Sequence, residues 1–178
     1  MNRKLKVEEL KRLSVDEFKK TAKNPVTVVL DNVRSAHNVG AVFRTADAFL
    51  IEKIYLCGIT PCPPQKEIAK TALGATESVS WEYHKDTEEC INMLLKENYY
   101  PVAIEQTSGS MMLDEYNITK EKLPVALVFG NEVFGVNQSV IDKCRETIEI
   151  PQMGTKHSLN ISVSAGIVLW EFFKKLKS

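Results

Sequence analysis

The sequence predicts an α/β domain, with one six-stranded, mainly parallel sheet flanked by helices. Three observations carry this. Short β-branched runs of strand length alternate with stretches of helical spacing along the chain, the pattern of strand–helix–strand units. The 178 residues, 44% hydrophobic and 26% charged, are ordinary for one soluble domain with a substantial core. The residues with the most chemical potential fall just after strands, where parallel sheets hold their ligands.

Residues 7–22 read as one or two short amphipathic helices, with Leu10, Leu13 and Phe18 apolar and Ser14–Glu17 spaced as a capping box. PVTVVLD, 25–31, is the first strand. Residues 36–49 have helical spacing, placing Val39, Val42, Phe43, Ala46 and Phe49 on one face. KIYLCGI, 53–59, is a strand, followed by a Pro-rich turn and a short helix over 65–73. SVSWEYH, 78–84, alternates like a strand, and Asp86 or Thr87 caps a helix running to Asn98 with Ile91, Leu94 and Leu95 inward. YPVAIEQ (100–106), PVALVFG (124–130) and 147–151 complete six strands. The stretch 107–123 offers only a weak turn of helix, and a further helix is expected near 137–145.

In the last quarter of the chain, Ile148 and Ile150 alternate with Thr147 and Glu149 until Pro151 stops the strand. A loop with Gly154 leads to a helix whose first turn is expected to carry Ser158 and Asn160. Its body, Leu159 to Phe173, is apolar on almost every side, which predicts burial on more than one face. The small residues Ser162, Ser164, Ala165 and Gly166 would let another backbone come close.

Residues 1–24 form a basic helical extension ahead of a main domain over 25–178. Residues 1–23 hold eight Lys/Arg against four Asp/Glu and 171–178 hold three against one. The ends are therefore +4 and +2, the middle is −6, and the whole is neutral. Whole-chain charge gives no support to nucleic-acid binding, but the two ends would make a local basic surface if they meet. The charged N-terminus has no apolar signal-peptide core and no run reaches membrane-spanning length. Cys57, Cys62, Cys90 and Cys144 lack CxxC spacing, which points to free thiols and a cytoplasmic protein without membrane association.

The post-strand segments are Asp31 to Asn38, Gln106 to Gly109, Gly130 to Gly135 and Pro151 to Asn160. No GxGxxG follows the first strand, and Gly130–Gly135 lacks the Lys-Ser/Thr of a phosphate loop. There is no GxSxG elbow. His37, His84 and His157 have no metal-ligand spacing, so no metal site is expected. Asn38, Arg44, Glu132, Ser158 and Asn160 remain, a set without an evident nucleophile. Arg44 reads either as a surface ion pair with Asp47 or as a ligand-facing cation. Glu132 reads either as a helix cap or as a carboxylate in a partly dry cleft.

HNVGAVFRTADAF (37–49), LVFGNEVFG (127–135) and IPQMGTKHSLNISVSAG (150–166) together resemble the three motifs of the SPOUT class of RNA methyltransferases. The match is to its TrmH-like, ribose 2′-O-methylating branch and covers about residues 25–173. The resemblance implies a C-terminal deep trefoil knot, an exception to the rule against knotted chains, that forms an S-adenosylmethionine pocket. It also implies a homodimer paired through the first and last helices. By motif position, Thr107, Gly130, Ile150 and Leu159 would hold the cofactor with Met153 beside it. Asn38, Arg44, Glu132, Ser158 and Asn160 would face the reacting ribose. Gln152 and Met153 follow Pro151 where many members have IPM, a departure that touches only the adenine pocket.

Methyl transfer to a hydroxyl is an in-line displacement at a sulfonium carbon and needs no covalent nucleophile from the protein. Alignment and loss of the 2′-OH proton are the tasks. Arg44 stays protonated and suits a phosphate or a developing alkoxide better than the role of base. The implied partner is RNA, tRNA or rRNA with tRNA favoured, and no metal is required. The alternatives are a base-modifying relative or an RNA-binding protein of this fold without catalysis.

Overall fold

The computed structural model describes residues 2–177. Seven strands make one sheet: β1 (Asn24–Asp31), β2 (Ile51–Cys57), β3 (Ser80–His84), β4 (Tyr100–Ile104), β5 (Met111–Met112), β6 (Val125–Phe129) and β7 (Glu146–Glu149). Their spatial order is β3-β2-β1-β6-β4-β7-β5, and every pair is parallel. The sequence predicts six. The seventh is β5, inside the stretch 107–123, where two residues are too few to show a periodicity. Tertiary pairing with β7, Met111 beside Ile148 and Met112 beside Glu149, defines it.

Alternate residues of the central strands feed opposite faces, as the two-residue period requires. Val28, Leu30, Leu127 and Phe129 join one core with α2 (Ala36–Ala48) and α7 (Ile161–Leu176). Val29, Ala126 and Val128 join the other with α5 (Thr87–Lys96) and α6 (Gln138–Ile141). The helix expected over 137–145 is thus one turn only, because the chain must enter β7 at Glu146. Near the N-terminus, a 3₁₀ turn (Val7–Leu10) and α1 (Val15–Lys20) match the expected helices, and the Ser14–Glu17 capping box forms. Phe18 is buried, while Leu10 and Leu13 are exposed.

β7 lies between β4 and β5, although β5 follows β4 in the chain. The chain leaving β4 therefore passes β7 to reach β5, then returns past β7 and β4 to form β6. The Lys175 ammonium of α7 ties into this excursion, donating to the carbonyls of Leu113 (3.0 Å), Asp114 (3.3 Å) and Tyr116 (2.6 Å). Tyr116 in turn donates to Glu146 of β7 at 2.7 Å, and Lys122 pairs with the same carboxylate at 2.9 Å.

The last helix starts later than the sequence suggests. Asn160 is its N-cap, accepting from the Ser162 N–H at 2.9 Å, and Ser158 and Leu159 precede it. An Asn side chain satisfies a free N–H best from the cap position. Within one chain α7 is also not buried all round: Val163, Ile167 and Trp170 form an exposed stripe, Trp170 at 51%. Among the described residues no helix is long and apolar enough to cross a membrane.

Two contacts set the carboxyl edge of the sheet. The fully buried Asp31 carboxylate accepts from Thr87 Oγ1 (2.6 Å), Asn32 Nδ2 (2.8 Å) and the Asn137 N–H (3.0 Å), joining the end of β1 to the starts of α5 and α6. Gly40 lets α3 (Lys66–Ala72) lie directly on α2: a Cβ there would sit 2.1 Å from Thr71 Oγ1 and 2.3 Å from the Ile68 carbonyl oxygen. The second of these is backbone and cannot swing aside. Gly40→Ala is therefore expected to destabilise the protein by about 1–3 kcal/mol despite the better helix propensity of Ala, measured as a lower midpoint in urea unfolding.

Candidate functional site

The strand order changes direction between β1 and β6, and such a switch opens a crevice beyond the carboxyl ends of the strands. A cavity of about 560 Å³ lies to one side of this switch, beyond the carboxyl ends of β6, β4 and β7, within the size range of small-molecule sites. Its walls come from three post-strand segments: Ile104 to Gln106 after β4, Phe129 to Gly135 after β6, and Glu149 to Ile161 after β7. The apolar part of the lining includes Ile104, Phe129, Ile150, Leu159 and Ile161. Glu132, Ser158 and Asn160 supply the polar side.

The fourth segment, after β1, reaches the site through Glu132. This carboxylate accepts from the N–H groups of Arg34 (2.9 Å) and Ser35 (3.0 Å) and from Asn38 Nδ2 (3.0 Å). Asn38 Oδ1 then accepts from Asn160 Nδ2 at 3.2 Å. Ser35 is the N-cap of α2 and Asn160 the N-cap of α7, so Glu132 and the two Asn side chains link two helix starts to one loop. Glu132 lines the cavity, but its side chain is exposed rather than in a partly dry cleft, and two of its donors are N–H groups at the start of α2. Partial burial pushes its pKa up, but the donors from Arg34, Asn38, its own N–H and Ser35 outweigh this and hold it below the usual carboxylate range. A carboxylate held in this way accepts hydrogen bonds and orients its partners, and is a weak proton acceptor.

The 130–135 loop owes its shape to its two glycines and to Asn131 and Glu105, which the sequence reading gave no role. Asn131 and Gly135 exchange two backbone hydrogen bonds of 2.9 Å. Asn131 Oδ1 accepts from the N–H groups of Val133 (2.8 Å) and Phe134 (3.2 Å), while its Nδ2 donates to the Asn32 carbonyl (2.7 Å). The Glu105 carboxylate accepts from the Val136 N–H (3.0 Å) and from its neighbour Gln106 (2.9 Å). Gly130 and Gly135 are required here: a Cβ on Gly130 would lie 2.0 Å from the Gly135 carbonyl carbon, and Gly135 has φ +68° with Glu105 Oε2 2.1 Å from its Cβ position. The one available signal for Glu105 was its place at the end of a buried strand. Gln106 Nε2 donates to the His157 carbonyl at 2.7 Å and fixes the long 150–160 loop.

Other expected residues lie farther out. Thr107 does not line the cavity; its hydroxyl is 2.8 Å from that of Thr147, between β4 and β7. Met153 is 99% exposed on the 150–160 loop. Arg44 is exposed on α2, six residues past Asn38, about 9 Å along the helix and roughly 120° round it. It does not line the cavity, and among the described residues its side chain makes no hydrogen bond or ion pair. Of its two readings, the ion pair with Asp47 is not formed; Asp47 accepts from Ser78 Oγ instead.

Comparison with known proteins follows the same outline. The SpoU rRNA Methylase family model matches residues 25–170. A Staphylococcus haemolyticus protein named for the TrmH family of tRNA/rRNA methyltransferases is 29% identical over 148 residues, covering 83% of this chain and 58% of the relative. The chain thus spans less than two thirds of that relative's length. The tRNA (guanosine(18)-2′-O)-methyltransferase of Thermus thermophilus is 28% identical over 163 residues, covering 92% and 81%. Among solved structures, an AdoMet-bound rRNA methyltransferase of Sinorhizobium meliloti superposes with a TM-score of 0.80 at 28% identity, covering 90% of this chain and 61% of the other.

The lowered Glu132 pKa fixes the sign of a pH effect. Its folded value lies below its unfolded one, so its contribution to stability is present above the unfolded value, near 4.5, and is lost as pH falls through the folded value. The melting temperature of Glu132→Gln is therefore expected to lie below that of the wild type by a constant margin from about pH 8 to 5. Thermal melts at lower pH should show the margin shrinking.

Proposed function

Because the chain belongs to the SpoU rRNA Methylase family, we propose that it transfers the methyl group of S-adenosylmethionine to a ribose 2′-hydroxyl of RNA, with tRNA favoured over rRNA. The observation that carries this is the Glu132–Asn38–Asn160 chain at the mouth of a partly apolar cavity. The cavity has the volume and mixed lining for the cofactor. Gly130, Ile150 and Leu159 line it; Thr107 and Met153, which do not, are the remaining members of the proposed cofactor set. S-adenosylmethionine supplies an electrophilic methyl group, so the protein's own task is to orient the acceptor. Asn38 and Asn160 are positioned by Glu132, and Ser158 stands beside them with an exposed hydroxyl.

Residues 25–178 form the catalytic unit and 1–24 a basic extension toward RNA, in a cytoplasmic protein. The path of 105–124 around β7 supports a knot in which the C-terminal segment threads that loop. The exposed stripe of α7, with Phe49 packed beside Trp170 and Phe173, supports a two-fold homodimer through α2 and α7. Ala41 and Ala48 share the α2 face of Arg44. In the dimer Arg44 therefore serves the cavity of the partner subunit, where its guanidinium takes a phosphate and stabilises developing alkoxide charge.

Incubation with labelled S-adenosylmethionine and separate tRNA and rRNA fractions from cells lacking the gene tests the activity. A 2′-O-methylated nucleoside after digestion is expected. Label on a base, or bound RNA without label, would replace the reading with one of its alternatives. Calorimetry should show S-adenosylmethionine binding undiminished by a chelator.

Arg44→Ala is expected to lower single-turnover methylation by roughly 10²-fold or more while changing stability by less than about 0.5 kcal/mol. Arg44→Lys should restore only part of the rate. Arg44→Ala and Glu132→Ala chains refolded together should recover up to about a quarter of wild-type activity, since half the dimers are mixed and each holds one intact site. If both residues served the cavity of their own chain, the mixture would stay inactive.

A further inference from the structure

Phe134 is 82% exposed and Val133 65% exposed at the tip of the loop that carries Glu132. Single exposed apolar side chains are common, and Ile59, Leu73 and Met153 are others in this chain; Val133 and Phe134 differ in standing side by side on the lining of the cavity. This tip is held in place: the paired backbone bonds of Asn131 and Gly135, the two N–H bonds to Asn131 Oδ1, and the Glu105 contact to Val136 fix its path. A rigid loop that presents a ring to solvent is organised for a planar or apolar ligand.

We propose that Phe134, supported by Val133, is the platform on which the base of the target nucleotide packs. This rests on the methyltransferase reading and names the part of the substrate that reading leaves unassigned. Phe134 borders the same cavity as Glu132, Ser158 and Asn160, so a ribose beside those polar groups has its base within reach of the ring. The adenine of the methyl donor is a weaker occupant. The lining already offers it Ile104, Phe129, Ile150, Leu159 and Ile161, whereas the Phe134 side chain is largely exposed to solvent. A partner subunit is also weaker, since the continuous apolar surface lies on α7 beside Phe49. RNA read in single-stranded loops is held by stacking unstacked bases on aromatic side chains. Such a platform is tolerant of base identity because every base has a π-face.

The test compares Phe134→Ala, Phe134→Leu and Phe134→Trp with the wild type, using whichever of the tRNA and rRNA fractions accepts methyl groups. Phe134→Ala should lower kcat/KM for RNA by roughly 5- to 150-fold, the scale of losing one base–aromatic stack. The loss should appear mainly in KM. Phe134→Trp should retain the wild-type value, and Phe134→Leu should fall between. The dissociation constant of S-adenosylmethionine and the sedimentation coefficient should be unchanged in all three. An equal loss of cofactor affinity would place the ring against the methyl donor, and a change in assembly would place it at a subunit contact; either overturns the proposal. So would a Phe134→Ala enzyme within twofold of wild type. If the wild type methylates neither fraction, the parent reading falls and takes this one with it.

Discussion

β7 enters the sheet between β4 and β5 and is hydrogen-bonded on both sides, with Ile148 fully buried. The rest of the carboxyl edge depends on this insertion. It brings the last strand beside β4, so that the loops after β4, β6 and β7 open into one cavity. It also fixes where the chain emerges to form the 150–160 loop and α7. The price in conformational entropy of ordering so distant a strand is met by contacts that converge on Glu146, where Tyr116 and Lys122 bind, and by Lys175, which holds three carbonyls of the chain that passes around β7.

Glu132 then converts this frame into a site. Its two oxygens receive three donors from the start of α2, and Asn38 passes the connection to Asn160 at the start of α7. Displacing any one of these groups removes a partner from the next, so the polar set acts as a unit. The donors hold the carboxylate below the usual carboxylate range against partial burial, which suits a group that orients its partners.

The exposed apolar residues divide in the same way. Those of α7, with the aromatic group Phe49, Trp170 and Phe173, form the continuous face on which the proposed dimer contact rests. Val133 and Phe134 stand instead on a braced loop beside polar side chains, the setting of the base platform proposed above.

The fold class was legible in the sequence because strand-length β-branched runs and helical spacing are local properties, and six of the seven strands and the Ser14–Glu17 cap follow from them. The motifs also singled out Asn38, Glu132 and Asn160, which the structure joins by hydrogen bonds across 94 and 122 residues. Local pattern could not reveal β5, whose two residues are a strand only because β7 lies beside them. It could not place the start of α7, since a polar residue before a helix reads equally as cap or first turn. Nor could it show that Arg44 lies away from its own chain's cavity, that Glu105 braces the 130–135 loop, or that Phe134 faces solvent. These depend on which distant segments meet, and pairing energy between segments far apart in the chain leaves no trace in either segment alone.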